Sequence, residues 1–249
     1  TNTNDVTLTV ASVTPSQTAT PQPMVAGEPV LNKFTAFGAD AGGGPLVTIT
    51  FANGTYTSFF AYDPAFRGGV RVALGDVNAD GTPEVITGAG PGGGPQVNVY
   101  SVNPQTGAVR LQSSFYAFSA PNFTGGVYVA VGQLNGPFGD VIVSAGAGGG
   151  PRVQVYAGSG SGLLTSRILN DFFAYATEFI GGVVVAAGNR NGDIFDEVIT
   201  APASNGGWNI KSFYVSGTGN NPLVIDNFFA FNNTTAVGGL SLAVGYLNS

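Results

Sequence analysis

The sequence predicts an all-β protein, and within that class a β-propeller, from three observations. Glycine is abundant, with 39 of 249 residues, whereas charged residues make up only 9%, a composition typical of turn-rich β proteins rather than helical ones. A unit of 56 or 57 residues occurs four times. Each unit contains four short apolar segments separated by Gly, Pro, Asn and Asp, the residues that form tight turns. Repeated four-stranded units are typical of propeller blades.

Two motifs define the repeat. One is a Gly-Gly pair followed by an apolar strand, at residues 68–69, 125–126, 181–182 and 238–239. The other is an aromatic stretch that precedes each pair, FFAY at 59–62, FYAF at 115–118, FFAY at 172–175 and FFAF at 228–231. Four copies of both motifs predict four blades.

The second unit shows the four predicted strands most clearly, in the segments GGVRVALG, PEVITGAG, PQVNVYSV and RLQSSFYAF. The first segment alternates with period two, as a strand does. The same small residue occupies one position of the first strand in every unit, namely Ala73, Ala130, Ala186 and Ala243. A small residue there suits a crowded innermost strand where neighbouring sheets converge.

The two ends of the chain predict how the ring closes. Residues 1–31 are a polar, Thr/Pro-rich arm or linker, and residues 32–249 form the propeller. The last unit stops after its first strand, and the segments at 32–38, 44–50 and 55–60 supply the strands that it lacks. Pairing the N-terminal strands with the C-terminal strand closes a ring and removes the sheet edges. The alternative is an open half-ring that pairs with another copy to make a larger propeller.

Composition excludes several classes of function. The chain has no cysteine and no histidine, so thiol nucleophiles, disulfides and histidine-based catalysis are excluded. A net charge of −6 with scattered basic residues argues against binding to nucleic acid. No apolar run is long enough to cross a bilayer. Carboxylate-only catalysis stays open, but the acidic residues cluster in loops or lie singly, and we expect a protein that is not an enzyme.

The segment DVNADGTPE, residues 76–84, predicts a cation site. Alternate residues of a tight loop direct oxygens to one centre, and Gly81 permits the sharp turn. Calcium prefers six to eight oxygen ligands at loose geometry. The predicted ligands are the side chains of Asp76, Asn78, Asp80 and Glu84 and the backbone carbonyl of Thr82. The alternative is that these Asp and Asn side chains only cap backbone amides of a turn.

A propeller whose repeats combine a Phe/Gly-rich stretch, a D-x-N-x-D-G loop and a G-A-G/P turn resembles the FG-GAP repeats of integrin α-subunits and their bacterial relatives. The resemblance covers about residues 32–249 and is strongest at 59–101. It implies that the acidic loop joins the first and second strands of a blade and binds calcium. It also implies a secreted or cell-surface protein with a role in adhesion, recognition or sugar binding.

The other copies of the acidic loop are less complete. A weaker second calcium site is predicted in GNRNGDIFDEV, with Asn in place of the first Asp and Ile194 in place of the glycine. Its ligands are Asn189, Asn191, Asp193, Phe195 (through its carbonyl) and Glu197. The loop GQLNGPFGDV, residues 132–141, carries Pro137 at the central ligand position and is interpreted as a plain turn. The fourth copy, at the end of the chain, lacks acidic residues.

The glycine loop occurs at 38–45, 88–95 and 144–151, and in degenerate form at 203–208. It is not a phosphate loop, because no Lys-Ser/Thr follows it and a strand rather than a helix comes next. We expect its glycines to let a hairpin corner pack against the neighbouring blade, and the recurrent Phe residues to pack between blades. Residues that break the repeat are better functional candidates: Trp208, a possible sugar-stacking platform, and also Arg71, Tyr128 and Glu178.

These observations predict a non-enzymatic extracellular module, stabilised by calcium, that serves binding, adhesion or structure. Its expected partner is a protein or glycan at the cell surface. The alternatives are a carbohydrate-binding lectin with Trp208 in its site, and a subunit of a homo-oligomer or larger surface assembly.

Overall fold

The computed structural model describes residues 34–119, 122–162, 167–215, 217, 219, 221–231 and 238–244. The predicted arm at 1–31 lies outside this part of the chain. The described residues form 15 strands in four antiparallel sheets. The all-β prediction is therefore confirmed, and the units that begin at the Gly-Gly pairs 68–69, 125–126 and 181–182 each correspond to one four-stranded sheet.

Each sheet is a simple up-and-down meander of consecutive strands. The first sheet has three strands, β1 (Phe34–Gly38), β2 (Leu46–Phe51) and β3 (Tyr56–Phe60). The second has β4 (Val70–Gly75), β5 (Glu84–Ala89), β6 (Gln96–Val102) and β7 (Val109–Tyr116). The third has β8 (Val127–Gly132), β9 (Asp140–Ala145), β10 (Arg152–Tyr156) and β11 (Ile168–Phe173). The fourth has β12 (Val183–Gly188), β13 (Glu197–Pro202), β14 (Asn209–Tyr214) and β15 (Leu223–Phe229).

The core lies between successive sheets. One apolar cluster joins the first and second sheets, another joins the second and third, and a third joins the third and fourth. The first strand β8 contacts both β4 and β12, the first strands of the sheets on either side, as the recurrent small Ala residue predicts. The second strands β5, β9 and β13 are buried along their whole length. A sheet covers each face of β5 and β9, whereas β13 has the third sheet on one side and the segment 238–244 on the other.

An aromatic pair recurs at each of the three interfaces between sheets. The first Phe of the aromatic stretch packs on an aromatic residue of the third strand in the next sheet, with ring centroids 4.7, 4.7 and 4.9 Å apart. The pairs are Phe59–Tyr100, Phe115–Tyr156 and Phe172–Phe213. The expectation that these Phe residues pack between sheets is confirmed for Phe59, Phe115 and Phe172.

The Gly-Gly pairs show why the glycine loop recurs. A Cβ on the first glycine, Gly125, would lie 2.1 Å from the Ala147 carbonyl oxygen, in the glycine loop of its own sheet. A Cβ on the second, Gly126, would lie 2.3 Å from the Ala89 carbonyl oxygen, in the glycine loop of the preceding sheet. The backbones therefore touch where side chains would not fit, and the structural interpretation of the glycine loop is confirmed.

The predicted closure of the ring is not formed among the described residues. Residues 238–244 are not a strand, and their only β-bridge joins Gly238 to Gly206 of the fourth sheet. The Leu240 amide donates to the Pro202 carbonyl at 3.0 Å, just as the Val70 amide donates to the Ala39 carbonyl at 2.8 Å. The segment therefore sits against the fourth sheet in the place of a next first strand, without pairing to β1 of the first sheet.

Candidate cation-binding loops

The loops between first and second strands, together with the first residues of the strands that follow, hold all the predicted metal ligands. Residues 76–83 join β4 to β5, residues 133–139 join β8 to β9, and residues 189–196 join β12 to β13. Neighbouring loops touch: the Gly139 amide donates to the Asp76 carbonyl at 2.8 Å. The Gln133 amide donates to the Asp196 carboxylate, also at 2.8 Å. These loops therefore lie along one edge of the stacked sheets.

The first loop is a tight turn organised by Asp76. Its backbone has positive φ at Ala79 (57°) and Gly81 (83°). The Asp76 carboxylate accepts the amides of Asn78 at 3.3 Å and Asp80 at 3.2 Å through Oδ1, and that of Gly81 at 2.8 Å through Oδ2. Three backbone donors therefore point at the first predicted ligand.

The remaining ligands of this loop form a connected network. Asn78 Nδ2 donates to Asp80 Oδ2 at 3.1 Å and to Glu84 Oε1 at 3.0 Å. Asp80 Oδ1 accepts the Thr82 amide at 2.8 Å, and Glu84 Oε2 accepts the Val77 amide at 3.0 Å. The structure thus brings together the four side chains that the sequence predicts. These contacts are the turn-capping bonds of the alternative interpretation, and carboxylate oxygens retain lone pairs beyond them.

Glu84 is a buried member of the first loop whose pKa is raised. It lies at the start of β5 and is buried. Burial, with a smaller contribution from the negative charges of Asp80 and Asp76, raises the pKa of Glu84 to about 7, against the opposing effect of the Val77 amide. The ionised form of Glu84 is therefore disfavoured, chiefly because the carboxylate is buried and to a smaller extent because Asp80 and Asp76 lie nearby.

The second loop repeats part of this bonding, with two carboxylates instead of three among its predicted ligands. Asn189 Oδ1 accepts the Gly192 amide at 2.7 Å, and Asn191 Oδ1 accepts the Asp193 amide at 2.8 Å. Asp193 Oδ1 accepts the Phe195 amide at 2.7 Å. Gly192, with φ of 81°, takes the place of Ala79, whereas Ile194 lacks the positive φ of Gly81. Asn189 accepts one backbone amide where Asp76 accepts three, so the second loop keeps the later caps but not the geometry of the first ligand.

Glu197 has a buried oxygen without a partner. Its Oε2 accepts the Arg190 amide at 2.7 Å. Its Oε1 is buried and accepts no hydrogen bond from any described residue. A buried carboxylate oxygen of this kind calls for a water or a cation, which is the chemistry that the sequence predicts for this loop.

The loop interpreted as a plain turn contains Asp140, whose burial the sequence did not predict. Asp140 is only 2% exposed and accepts the amides of Leu134 at 3.3 Å and Gly158 at 3.1 Å. Burial raises the pKa of Asp140 to about 6. Asp140 stands where Glu84 and Glu197 stand, at the start of the second strand, so an alignment of the repeats contained the signal. One role of this position is to cap the loop backbone, with or without a metal.

The described residues contain no group of three Asp or Glu side chains already arranged as a metal cage. The donors of the first loop are nevertheless all oxygens, in the carboxylate and carbonyl chemistry that calcium selects over softer metals. By donor type and charge, the first loop fits calcium better than the second loop, which has Asn189 in place of the carboxylate of Asp76.

Residues that break the repeat mostly have packing contacts. The Trp208 ring is half-buried and meets Phe231 edge-on at 4.8 Å. Arg71 stacks on the Tyr128 ring at 3.8 Å and donates to the Val127 carbonyl at 3.1 Å, which joins β4 to β8. Glu178 is exposed and accepts a bond only from Thr177 among the described residues. The contacts of Trp208 favour local repacking, and its sugar-binding role stays a prediction.

No family model matches the chain, and no curated protein matches it. The resemblance to FG-GAP repeats thus remains a prediction from the motifs. Within the part of the chain that the structure covers, no helix is long and apolar enough to cross a membrane.

Proposed function

We propose that the chain is a non-enzymatic extracellular β-propeller module that calcium stabilises and that serves binding, adhesion or structure. The observation that supports this most is the gathering of Asp76, Asn78, Asp80 and Glu84 in one tight turn. Calcium would be held by these side chains and by the Thr82 carbonyl, with Asn189, Asn191, Asp193, Glu197 and the Phe195 carbonyl as a second, weaker set.

The proposed role of the ion is to stiffen the loop edge. Calcium would offset the mutual repulsion of Asp76, Asp80 and Glu84, and it would hold the link between neighbouring loops at Asp76 and Gly139. Extracellular modules bind calcium with dissociation constants of roughly 10⁻⁴–10⁻³ M, which suits a loop with few charged ligands. This is the physical basis for placing the protein outside the cell or at its surface.

The calcium proposal is tested by thermal unfolding with and without the ion. At free calcium about a hundredfold above Kd we expect roughly 2.7 kcal/mol of stabilisation, or a Tm rise of roughly 5–10 °C. Asp80→Asn removes one carboxylate ligand and should abolish most of this rise. Glu178→Gln removes an exposed charge away from the loop and should retain it. An unchanged melting curve on adding calcium or chelator would contradict the proposal.

We infer further that the four sheets are the blades of one closed ring. The fourth sheet leaves Phe231 55% exposed, and the first sheet leaves Phe37 56% exposed. At two formed interfaces the equivalent residues are a hydrogen-bonded pair, with the Tyr62 hydroxyl on Thr87 and the Tyr175 hydroxyl on Thr200, each at 3.2 Å. At the proposed closure, Phe stands in place of both members of this hydrogen-bonded pair. Phe231 and Phe37 would therefore meet there in an apolar contact.

The edges of the sheets support the same inference. The first sheet has three strands where the others have four, and β1 is an open edge among the described residues. Residues 240–244 occupy the place of the missing strand against the fourth sheet. The alternative of an open half-ring that pairs with a second copy uses the same two surfaces between chains.

Two other functions remain proposals. In the lectin alternative, a glycan array should give hits that Trp208→Ala abolishes. In the assembly alternative, light scattering should give the mass of a dimer or larger particle.

A further inference from the structure

A cleft lies beside the first loop and shares Asp80, Thr82 and Glu84 with it. Its volume is about 370 Å³, and it separates the loop from the turn that joins β6 to β7. The loop wall is formed by Asp80, Thr82 and Glu84, and the turn wall by Ser101, Asn103 and Arg110. The volume is near the lower end of the usual range for ligand pockets, roughly 300–1,000 Å³, which suits one or two sugar-sized rings.

The turn wall is fixed in place by its own hydrogen bonds. Asn103 Oδ1 accepts the amides of Gln105 at 3.0 Å and Thr106 at 2.9 Å. The Asn103 amide donates to the Ala108 carbonyl, and the Gly107 amide donates to the Asn103 carbonyl, both at 2.8 Å. This bonding occupies the Asn103 side-chain acceptor and leaves its NH₂ group as a donor on a rigid support.

Arg110 supplies a cation that pairs with no described residue. The side chains of Arg71, Arg152 and Arg190 each donate to a protein acceptor. Arg110 is exposed, and its guanidinium makes no hydrogen bond or salt bridge with any described residue. A guanidinium pairs best with a carboxylate, to which it can donate two parallel bonds.

The two walls therefore differ in charge. One wall holds carboxylates, and the other holds a guanidinium and a carboxamide donor. An anion entering the cleft would be attracted by Arg110 and repelled by Asp80 and Glu84. A divalent cation in the loop would offset most of that repulsion, because it brings two positive charges to a loop with three carboxylates.

We propose that this cleft binds the carboxylate of a uronic-acid residue in an acidic glycan, between Arg110 and the calcium-loaded first loop. The inference rests on the calcium binding proposed above. Arg110 pairs with the sugar carboxylate, while Asn103 Nδ2 and the Thr82 hydroxyl meet neighbouring sugar hydroxyls. The site favours acidic sugars because only they carry a carboxylate that can pair with Arg110.

Isothermal titration with digalacturonate tests this site. We expect binding in millimolar calcium, at least about tenfold weaker binding in chelator, and no comparable binding of the carboxyl-reduced, neutral disaccharide. Arg110→Gln should weaken binding at least about tenfold and leave the calcium-induced rise in Tm unchanged. Arg167→Gln removes an exposed arginine outside the cleft and should bind as the unchanged protein does.

The outcomes separate this inference from the calcium proposal. If calcium raises Tm but digalacturonate does not bind, the cleft inference is wrong and the calcium proposal stands. Equal binding by Arg110→Gln, or equal binding of the neutral disaccharide, also overturns the cleft inference. If calcium does not change Tm, the calcium proposal fails, and the cleft inference fails with it.

Discussion

Three buried carboxylates occupy equivalent positions in the second, third and fourth sheets. Glu84, Asp140 and Glu197 each begin a second strand and each accept a backbone amide of the preceding loop. Such a bond satisfies a loop amide that has no partner in the sheet. The carboxylates therefore have a structural role in all three loops, and only the loops with further Asp and Asn side chains add a proposed cation site to it.

Asp140 makes this role measurable through pH. Its pKa is raised from 3.8 to about 6 by burial, so the folded state binds the proton more tightly than the unfolded chain does. Stability from this group is therefore greatest below about pH 4, falls between about pH 4 and 6, and is constant above that. The loss is up to about 3 kcal/mol.

Urea unfolding from pH 4 to 7 checks this expectation. Asp140→Asn has no charge to titrate and should show a smaller decrease over that window than the unchanged protein. Both measurements include the titration of Glu84, so their difference isolates Asp140. Identical pH profiles would show that Asp140 does not titrate in this range.

Between elements, close approach of backbones decides where sheets meet. Gly126 has φ of 68° and lies where a Cβ would be 2.3 Å from the Ala89 carbonyl oxygen. Gly54 has a similar φ of 82° at a hairpin tip, and a Cβ added there would have no neighbouring atom within 4 Å. The two glycines therefore separate the effect of backbone conformation from the effect of packing.

We expect Gly126→Ala to lower the free energy of unfolding by at least about 2 kcal/mol, because it combines left-handed strain with a clash against the preceding sheet. Gly54→Ala should cost only about 1 kcal/mol, from the strain alone. Urea titration of both variants measures the difference. Equal losses would mean that the sheets do not meet as closely as the Gly126 contacts indicate.

At the scale of the whole molecule, the open question is which surfaces cover the ends of the stack. The strand pairs Ala73–Ile86, Ala130–Ile142 and Ala186–Ile199 are equivalent. Extending that register to the proposed closure places Ala243 opposite Ala36 and Leu242 opposite Phe37. The register thus fixes which residues a closed ring would bring together.

Paired cysteines test the closure in a chain that has no cysteine of its own. One double variant is Ala36→Cys with Ala243→Cys, and the other is Phe37→Cys with Leu242→Cys. Adjacent antiparallel pairs alternate between wide and close spacing, so one of the two pairs has the closer geometry. We expect an intramolecular disulfide in a monomer, with the single Ala36→Cys variant as the control.

Non-reducing electrophoresis and light scattering distinguish the outcomes. A disulfide-linked dimer would favour the half-ring alternative, in which a second copy supplies the missing strand. If neither pair crosslinks within or between chains, both the closed ring and the half-ring that pairs with a second copy are wrong.

The sequence by itself determined the all-β class, the repeat unit of the second, third and fourth sheets, and most strand positions. Period-two alternation, turn residues and a fixed repeat are local signals, and local geometry is enough to turn them into strands. It also determined the members of the first loop, because Asp76 to Glu84 are close in the chain. Only the tertiary structure decided that Arg71 stacks on Tyr128, that Asp140 is buried, and that Arg110 faces the first loop across a cleft. Those relations join residues that are distant in the chain or turned inward by packing. They cannot be predicted from the sequence because burial and contact depend on neighbouring sheets.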